Sequence, residues 1–203
     1  MIPSVYAGID IQKDGLGRIE AVGYSGLAYL ATHSGKHTTS TAYSHGLDFE
    51  RLLELPEFDK IQKFNNAGKP VVVFVVDGGC DENPRYQKTI QVGAHHFRQN
   101  KLDALFIAAN APERIAFDRV QRKMAPLSKE LSKLILPHEQ YWSRLDAQRN
   151  TINPKLEEKN FEYAGKCLAD VWSAVVLDNY PTIAEYISSE NSRVKPGEFG
   201  RGG

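Results

Sequence analysis

Asp77, Asp81, Glu82 and Asn83 crowd oxygen-bearing side chains into the stretch directly after the apolar run Val71 to Val76. Carboxylates and amide oxygens at that density are the donor set of a hard divalent cation such as Mg²⁺. The run before them is bounded by Pro70 and by Gly78-Gly79. Its β-branched and aromatic composition is that of an interior strand covered on both faces. Ligands of open α/β sheets gather beyond the carboxyl ends of such strands. Asp-Gly is also a common turn, so Asp77 either ligates an ion or only turns the chain.

Other reactive residue types are less well placed. His33 and His37 have the i, i+4 spacing of paired metal ligands, but Gly35 and the surrounding Ser and Thr residues put them in a loop. His95 and His96 are adjacent, which on a helix sends them to different faces and away from a shared ion. Ser34-Gly35-Lys36 lacks the upstream glycine of a phosphate-binding loop. Ser44, His45 and Asp48 have the types of a catalytic triad, yet they stand close in sequence without a nucleophile elbow. Asp48 reads instead as a helix cap. Cys80 and Cys167 are too few for a disulfide framework and lack paired zinc-ligand spacing, so both read as free thiols.

The elements that must position Asp77 follow from periodicity and punctuation. Val5 to Ile11, Ile19 to Tyr24 and Leu27 to Thr32 are predicted strands, the first ended by the Lys13-Asp14-Gly15 turn. After a polar loop from Ser34 to Thr41, a short helix spans Asp48 to Leu55 and is interrupted by Pro56. The strand Val71 to Val76 leads into a helix that begins near Asn83-Pro84 and runs to about Asn100. A second buried strand spans Asp103 to Ala108, and helices over 117–136, 155–177 and 182–189 complete the order. Phe117, Val120, Met124, Leu127 and Leu131 mark the buried stripe of the first of these, and Pro126 kinks it. Residues 1–190 are predicted to form one domain, and 191–203 a disordered tail.

The 203 residues are 41% hydrophobic and 25% charged, enough for one sizeable core. Lys and Arg number 25, as do Asp and Glu, so nucleic-acid binding would need a local patch rather than net charge. No stretch approaches a membrane span and the N-terminus lacks a signal-peptide pattern. An intracellular protein with no membrane partner is expected.

Strands first, then strand, helix, strand, helix, is the order of a ribonuclease-H-like core, an α/β fold with a mixed sheet flanked by helices. The segments DGGCDENPRYQK (Asp77 to Lys88), FDRVQRKMAPLSKEL (Phe117 to Leu131) and LPHEQYW (Leu136 to Trp142) together resemble uncharacterised eukaryotic proteins derived from DDE-type transposases. The likeness extends to about Ile187. It implies an RNase H-like catalytic core in which three acidic residues hold two Mg²⁺ or Mn²⁺ ions for DNA cleavage and strand transfer. Asp77 matches the second acid. The third, a glutamate on the helix after the next strand, falls at Gln121, which keeps an amide oxygen but loses the charge a hard dication needs. Asp118, about 4.5 Å back along the helix axis, either caps the helix or stands in as a ligand.

The first acid can be read in two ways. From the residues alone, Asp10 at the end of the first strand is the natural candidate. The resemblance places that carboxylate upstream of Met1 instead. The domain is then expected to be incomplete on its N-terminal side, with an exposed sheet edge open to self-association. Arg119, Arg122 and Lys123 on the Gln121 helix are either DNA phosphate contacts or a solvated face. The resulting expectation is a degenerate transposase- or integrase-like core, inactive in strand transfer. Mg²⁺ or Mn²⁺ binding would be weak or absent, and the protein nuclear if it acts on DNA. The alternatives are a non-catalytic protein- or nucleic-acid-binding module, or a metal-dependent nuclease that uses Asp10, Asp77 and Asp118.

Overall fold

The computed structural model describes residues 1–11, 22–23, 26–110, 119–177, 179–192 and 199, with residues 10–11, 22–23 and 119–123 described in the backbone alone. In chain order the first elements are β1 (Ile2–Ala7), β2 (Asp10–Ile11), β3 (Val22–Gly23), β4 (Ala28–His33) and α1 (Ala42–Glu54). A 3₁₀ turn (Pro56–Phe58), α2 (Asp59–Gln62), β5 (Lys63–Phe64) and β6 (Ala67–Gly68) follow. Then come β7 (Val71–Val76), α3 (Gln87–Gln99), β8 (Ala104–Ala109), α4 (Arg119–Leu131), α5 (Pro154–Ser173), β9 (Val176–Leu177) and β10 (Tyr180–Ile187).

Every residue of β4 is buried. The strand lies between antiparallel β1, with Val5 opposite Leu30, and parallel β10, with Ala184 beside Leu30. β9 closes the four-stranded sheet by pairing antiparallel with β10. Alternation along β4 sends its side chains to two cores. Ala28 and Leu30 pack with Leu127 of α4 and with Leu168 and Trp172 of α5. Tyr29 and Ala31 pack with Leu52, Leu55 and Phe58 at the end of α1. A mixed sheet with helices on both faces places the chain in the α/β class.

β7, α3 and β8 form a separate parallel strand-helix-strand unit, in register from Val71 beside Ala104 to Val76 beside Ala109. Phe74 of β7 meets Phe49 of α1 edge-on at 4.8 Å. Gly93 lets α3 lie close over Leu105 and Ile107, because a methyl group there would stand 3.1 Å from Ile107. α1 is thus the shared element, giving Leu52 to the four-stranded sheet and Phe49 to the parallel pair.

Several expectations are corrected. β7 is not covered on both faces: Val71, Val73 and Val75 are exposed, as is Phe106 of β8. Among the described residues β7 and β8 pair only with each other, so they stand apart from the four-stranded sheet rather than within the single mixed sheet expected of an RNase H-like core. Residues 182–189 are not a helix. Thr182, Ile183, Tyr186 and Ile187 are strand formers, and β10 satisfies its backbone along β4. α1 begins at Ala42, with Thr41 and Ser44 forming a reciprocal capping box, so Asp48 lies inside the helix and caps nothing. Part of the expected tail 191–203 is packed: Ser192 bonds His33, and Phe199 is buried beside Ala42 and Val92. Residues 193–198 and 200–203 lie outside the described residues.

Gly165 tests how α5 meets the sheet. Its Cα faces the Tyr186 ring so closely that a Cβ would overlap ring carbons. Alanine in place of glycine gains about 1 kcal/mol of helix propensity, whereas forced overpacking costs about 1–3 kcal/mol. Gly165→Ala is expected to lower the urea unfolding midpoint, with the overlap outweighing propensity. An unchanged or higher midpoint would show that α5 and β10 do not pack in this register.

Candidate functional site

β7 stops at Val76 because the next residues turn sharply. Gly78 adopts φ 89°, a left-handed conformation suited to glycine. The Gly79 N–H donates to Asp77 Oδ1 at 3.0 Å, and the Glu82 and Asn83 N–H groups both donate to the Gly79 carbonyl. Asn83 locks the loop further, donating to the Gly78 carbonyl and accepting from the Arg85 N–H. Asp77 therefore does turn the chain, and the turn folds Asp81 and Glu82 back beside it.

The Glu82 carboxyl is pushed up to about 8, by burial first and then by the neighbouring Asp77 carboxyl and the Asp81 charge. Burial alone would also raise Asp81, but hydrogen bonds from Ser40, its own backbone and His45 hold it below the ordinary aspartate value. Ser40 Oγ donates to Asp81 Oδ2 at 2.6 Å, and His45 Nε2 lies 3.2 Å from the same oxygen. The result is a turn of oxygen donors in which Glu82 holds its proton most tightly. A cation entering it would displace that proton.

A buried polar relay stands behind the cluster. Tyr6 of β1 donates its hydroxyl to Asp48 Oδ2 at 3.1 Å, and its oxygen lies 2.9 Å from His45 Nδ1. A phenol has one proton. That proton goes to Asp48, and both His45 nitrogens face oxygen, Nδ1 on Tyr6 and Nε2 on Asp81. His33 Nε2 also reaches Asp48 Oδ2, at 3.0 Å, and His33 Nδ1 meets Ser192 Oγ at 3.2 Å. Burial, with the Asp48 charge next, pushes the Tyr6 phenol well above its ordinary value.

Of the residues singled out from sequence, Asp77, Asp81, Glu82 and Asn83 are brought together. Asp10 lies in β2 opposite Gly23, with its side chain outside the described residues. Asp118 is wholly outside them. Gln121, Arg119, Arg122 and Lys123 lie in the first turns of α4, where only the backbone is described. That helix packs on β1 and α5. His33 and His37 do not share a site, since His37 turns to Ser34 and Glu157. Ser44, His45 and Asp48 form no triad: Ser44 Oγ donates to the Thr41 carbonyl within the cap. The expectation that His95 and His96 diverge is wrong, because both approach Glu50. Sequence reasoning missed Tyr6 and the roles of His33, His45 and Asp48. Their signal is long-range, as Tyr6 and Asp48 stand 42 residues apart.

A second concavity lies elsewhere. A groove of about 740 Å³ opens between α1, α5 and β10. Three of its charged side chains pair with one another: Arg51 reaches Glu185 at 2.7 Å and Glu54 at 3.0 Å. That pairing marks this part of the groove as a seam between elements.

The raised Glu82 carboxyl has a consequence for stability. Its ordinary value is 4.5 and its folded value about 8, so the folded chain binds the proton more tightly. The stability this contributes is complete below about pH 4.5 and is lost as pH rises through about 8. Glu82→Gln imitates the protonated form. It is expected to match the wild type near pH 5 and to exceed it at pH 9 by about 1–2 kcal/mol, the group being partly solvated. Urea unfolding at the two pH values measures this, and equal stability of both proteins at pH 9 would contradict it.

No protein-family model, curated protein or solved structure matches this chain, so the family likeness rests on the residues that carry it.

Proposed function

We propose that this chain is a degenerate catalytic core of the DDE-transposase type, which holds a divalent cation weakly at the end of β7 and does not carry out strand transfer. One observation carries the reading: Asp77 ends the first strand of a parallel strand-helix-strand unit, and the tight turn that follows it carries Asp81 and Glu82. Ligand sites of α/β proteins form there. In this reading β7, α3 and β8 are the strand-helix-strand of an RNase H-like core, α4 is the helix of the third acid, and Gln121 occupies that acid's position.

The donor set fits Mg²⁺ or Mn²⁺ in kind, since all three side chains offer hard oxygen. Asp77, Asp81 and Glu82 would hold the ion, which when bound supplies electrostatic stabilisation to a phosphate oxygen. The protein's own residues set the strength of that binding. The Gly79 N–H occupies Asp77 Oδ1, Ser40 and His45 occupy Asp81, and the Glu82 proton must leave. Each competes with the ion, and Gln121 adds no charge. Arg119, Arg122 and Lys123 on α4 are the proposed phosphate contacts for DNA, each adding a salt-sensitive term. An open sheet edge remains a proposed route to self-association.

A second reading, a binding module without catalysis, is favoured by the exposed apolar face formed by Val71, Val73, Val75 and Phe106. Faces of this kind mark interaction surfaces.

Calorimetric titration with Mn²⁺ and a DNA cleavage assay test the proposal. The wild type is expected to bind weakly, Asp77→Ala to lose that binding, and Gln121→Glu to tighten it several-fold by restoring a charge. No variant with Gln121 intact should cleave DNA. Cleavage by the wild type that disappears in Asp77→Ala would make the chain a nuclease. A gain in Gln121→Glu that survives Asp77→Ala would mean the two residues share no site.

A further inference from the structure

We propose that Glu50, His95 and His96 form a binding site for a zinc-class divalent cation between α1 and α3. The site shares no residue with the Asp77 cluster, and its ligands are tested separately.

Three ligand atoms converge. Glu50 Oε1 lies 3.0 Å from His95 Nε2 and 3.9 Å from His96 Nδ1, and all three atoms lie within 4.8 Å of one another. Ligands held tetrahedrally at zinc bond lengths stand about 3.3 Å apart. The two observed separations bracket that value. Adjacent residues on a helix ordinarily diverge, but here they present different nitrogens. His95 extends its far atom, Nε2, while His96 offers its near one, Nδ1, and the difference in reach brings both to the same carboxylate oxygen.

The second observation is His96 itself. The residue is 2% exposed, and neither of its ring nitrogens has a hydrogen-bond partner among the described residues. Buried polar groups are nearly always bonded, so an imidazole aimed at a carboxylate oxygen beyond hydrogen-bond reach is a group awaiting a third party. A cation between them satisfies His96 Nδ1 and replaces the proton that now links His95 to Glu50. Burial, then the neighbouring His95, pushes the His96 imidazole down to about 4.

The surroundings suit such an ion. Phe49 meets the His96 ring edge-on at 5.0 Å, and Phe199 meets the His95 ring at 4.7 Å. An apolar shell of this kind excludes water and strengthens ligation. His95 and Glu50 are half-buried, which leaves a way in. Two imidazoles and one carboxylate select a borderline metal over Mg²⁺ or Ca²⁺, which prefer oxygen alone. Three protein ligands also leave a fourth position open. Because the ligands come from two helices, the bound ion clamps α1 to α3.

The experiment is titration of the full chain with Zn²⁺, and with Co²⁺ for its visible spectrum. One Zn²⁺ per chain is expected, with affinity at least about tenfold weaker in Glu50→Gln and in His95→Gln. Zn²⁺ should raise the melting temperature of the wild type and not that of Glu50→Gln. Co²⁺ should give the intense visible bands of a low-coordinate site in the wild type alone. Glu50 and His95 are chosen because each is partly solvated, so their variants fold even where a core change at His96 does not. Three outcomes would overturn the proposal: no Zn²⁺ uptake, uptake unaltered in Glu50→Gln and His95→Gln, or loss of uptake in His45→Ala with Glu50→Gln unaffected. The last would put the ion at the acidic cluster.

Discussion

A carboxylate buried as deeply as Asp48, 2% exposed, has to be bonded, because an uncompensated charge in the interior costs several kcal/mol. Tyr6 on β1 and His33 on β4 supply those bonds, at 3.1 and 3.0 Å. The requirement fixes more than one side chain. Sliding α1 by one residue would rotate Asp48 by about 100° and strand both partners, so the register of α1 against the sheet is set by this contact. Once α1 is placed, so are His45 above Asp81, Phe49 against Phe74, and Glu50 beside the histidine pair.

A second buried acid does the same on the opposite face of the sheet. Glu157, in the first turn of α5, is 4% exposed and accepts from Lys36, Arg144 and Thr151. Burial opposes its ionisation, yet hydrogen bonds from Lys36, Thr151 and Arg144 outweigh it and hold the carboxyl down to about 2. Lys36 and His37 lie just beyond β4, and His33 ends it. The carboxyl end of the central strand is thus the place where helices from both faces are pinned, each by one acid. Hydrophobic burial gathers the layers, and these two bonded carboxylates give them direction.

What could be read from the chain was local. β4, β7 and β8 are recognisable from composition and punctuation, and α5 from its apolar face, whereas α3 starts at Gln87 without a side-chain cap rather than at the expected Asn83-Pro84. Asp77 with Asp81 and Glu82 was legible because the turn that joins them is built from near neighbours. β10 was not, since Thr182 to Ile187 gains its strand conformation from β4, more than 150 positions away in the chain. Asp48 was misread for the same reason. An aspartate near a helix start caps it by default, and only distant Tyr6 and His33 reveal that it faces inward. The His95–His96 convergence depends on which nitrogen each ring presents, something spacing cannot express. The exposed face of β7 shows the reverse error: an apolar run announces a strand but not how many of its faces are covered.

α1 does not carry the single apolar stripe expected of a surface helix, and the two candidate sites explain why. Successive helical positions turn by about 100°, so Asp48 and His45 share a side while Glu50 is about 200° away from Asp48. One side answers to the sheet and the acidic cluster, the other to α3. The donors gathered on the two sides differ in kind: oxygen from Asp77, Asp81 and Glu82, and mainly nitrogen from His95 and His96. Hard and borderline cations sort between such sets by ligand chemistry alone. Both sets nevertheless depend on one helix register. A shift in the Asp48 contact would move His45 out from Asp81 and Glu50 out from His95 together, so the two sites are mechanically linked although no residue belongs to both.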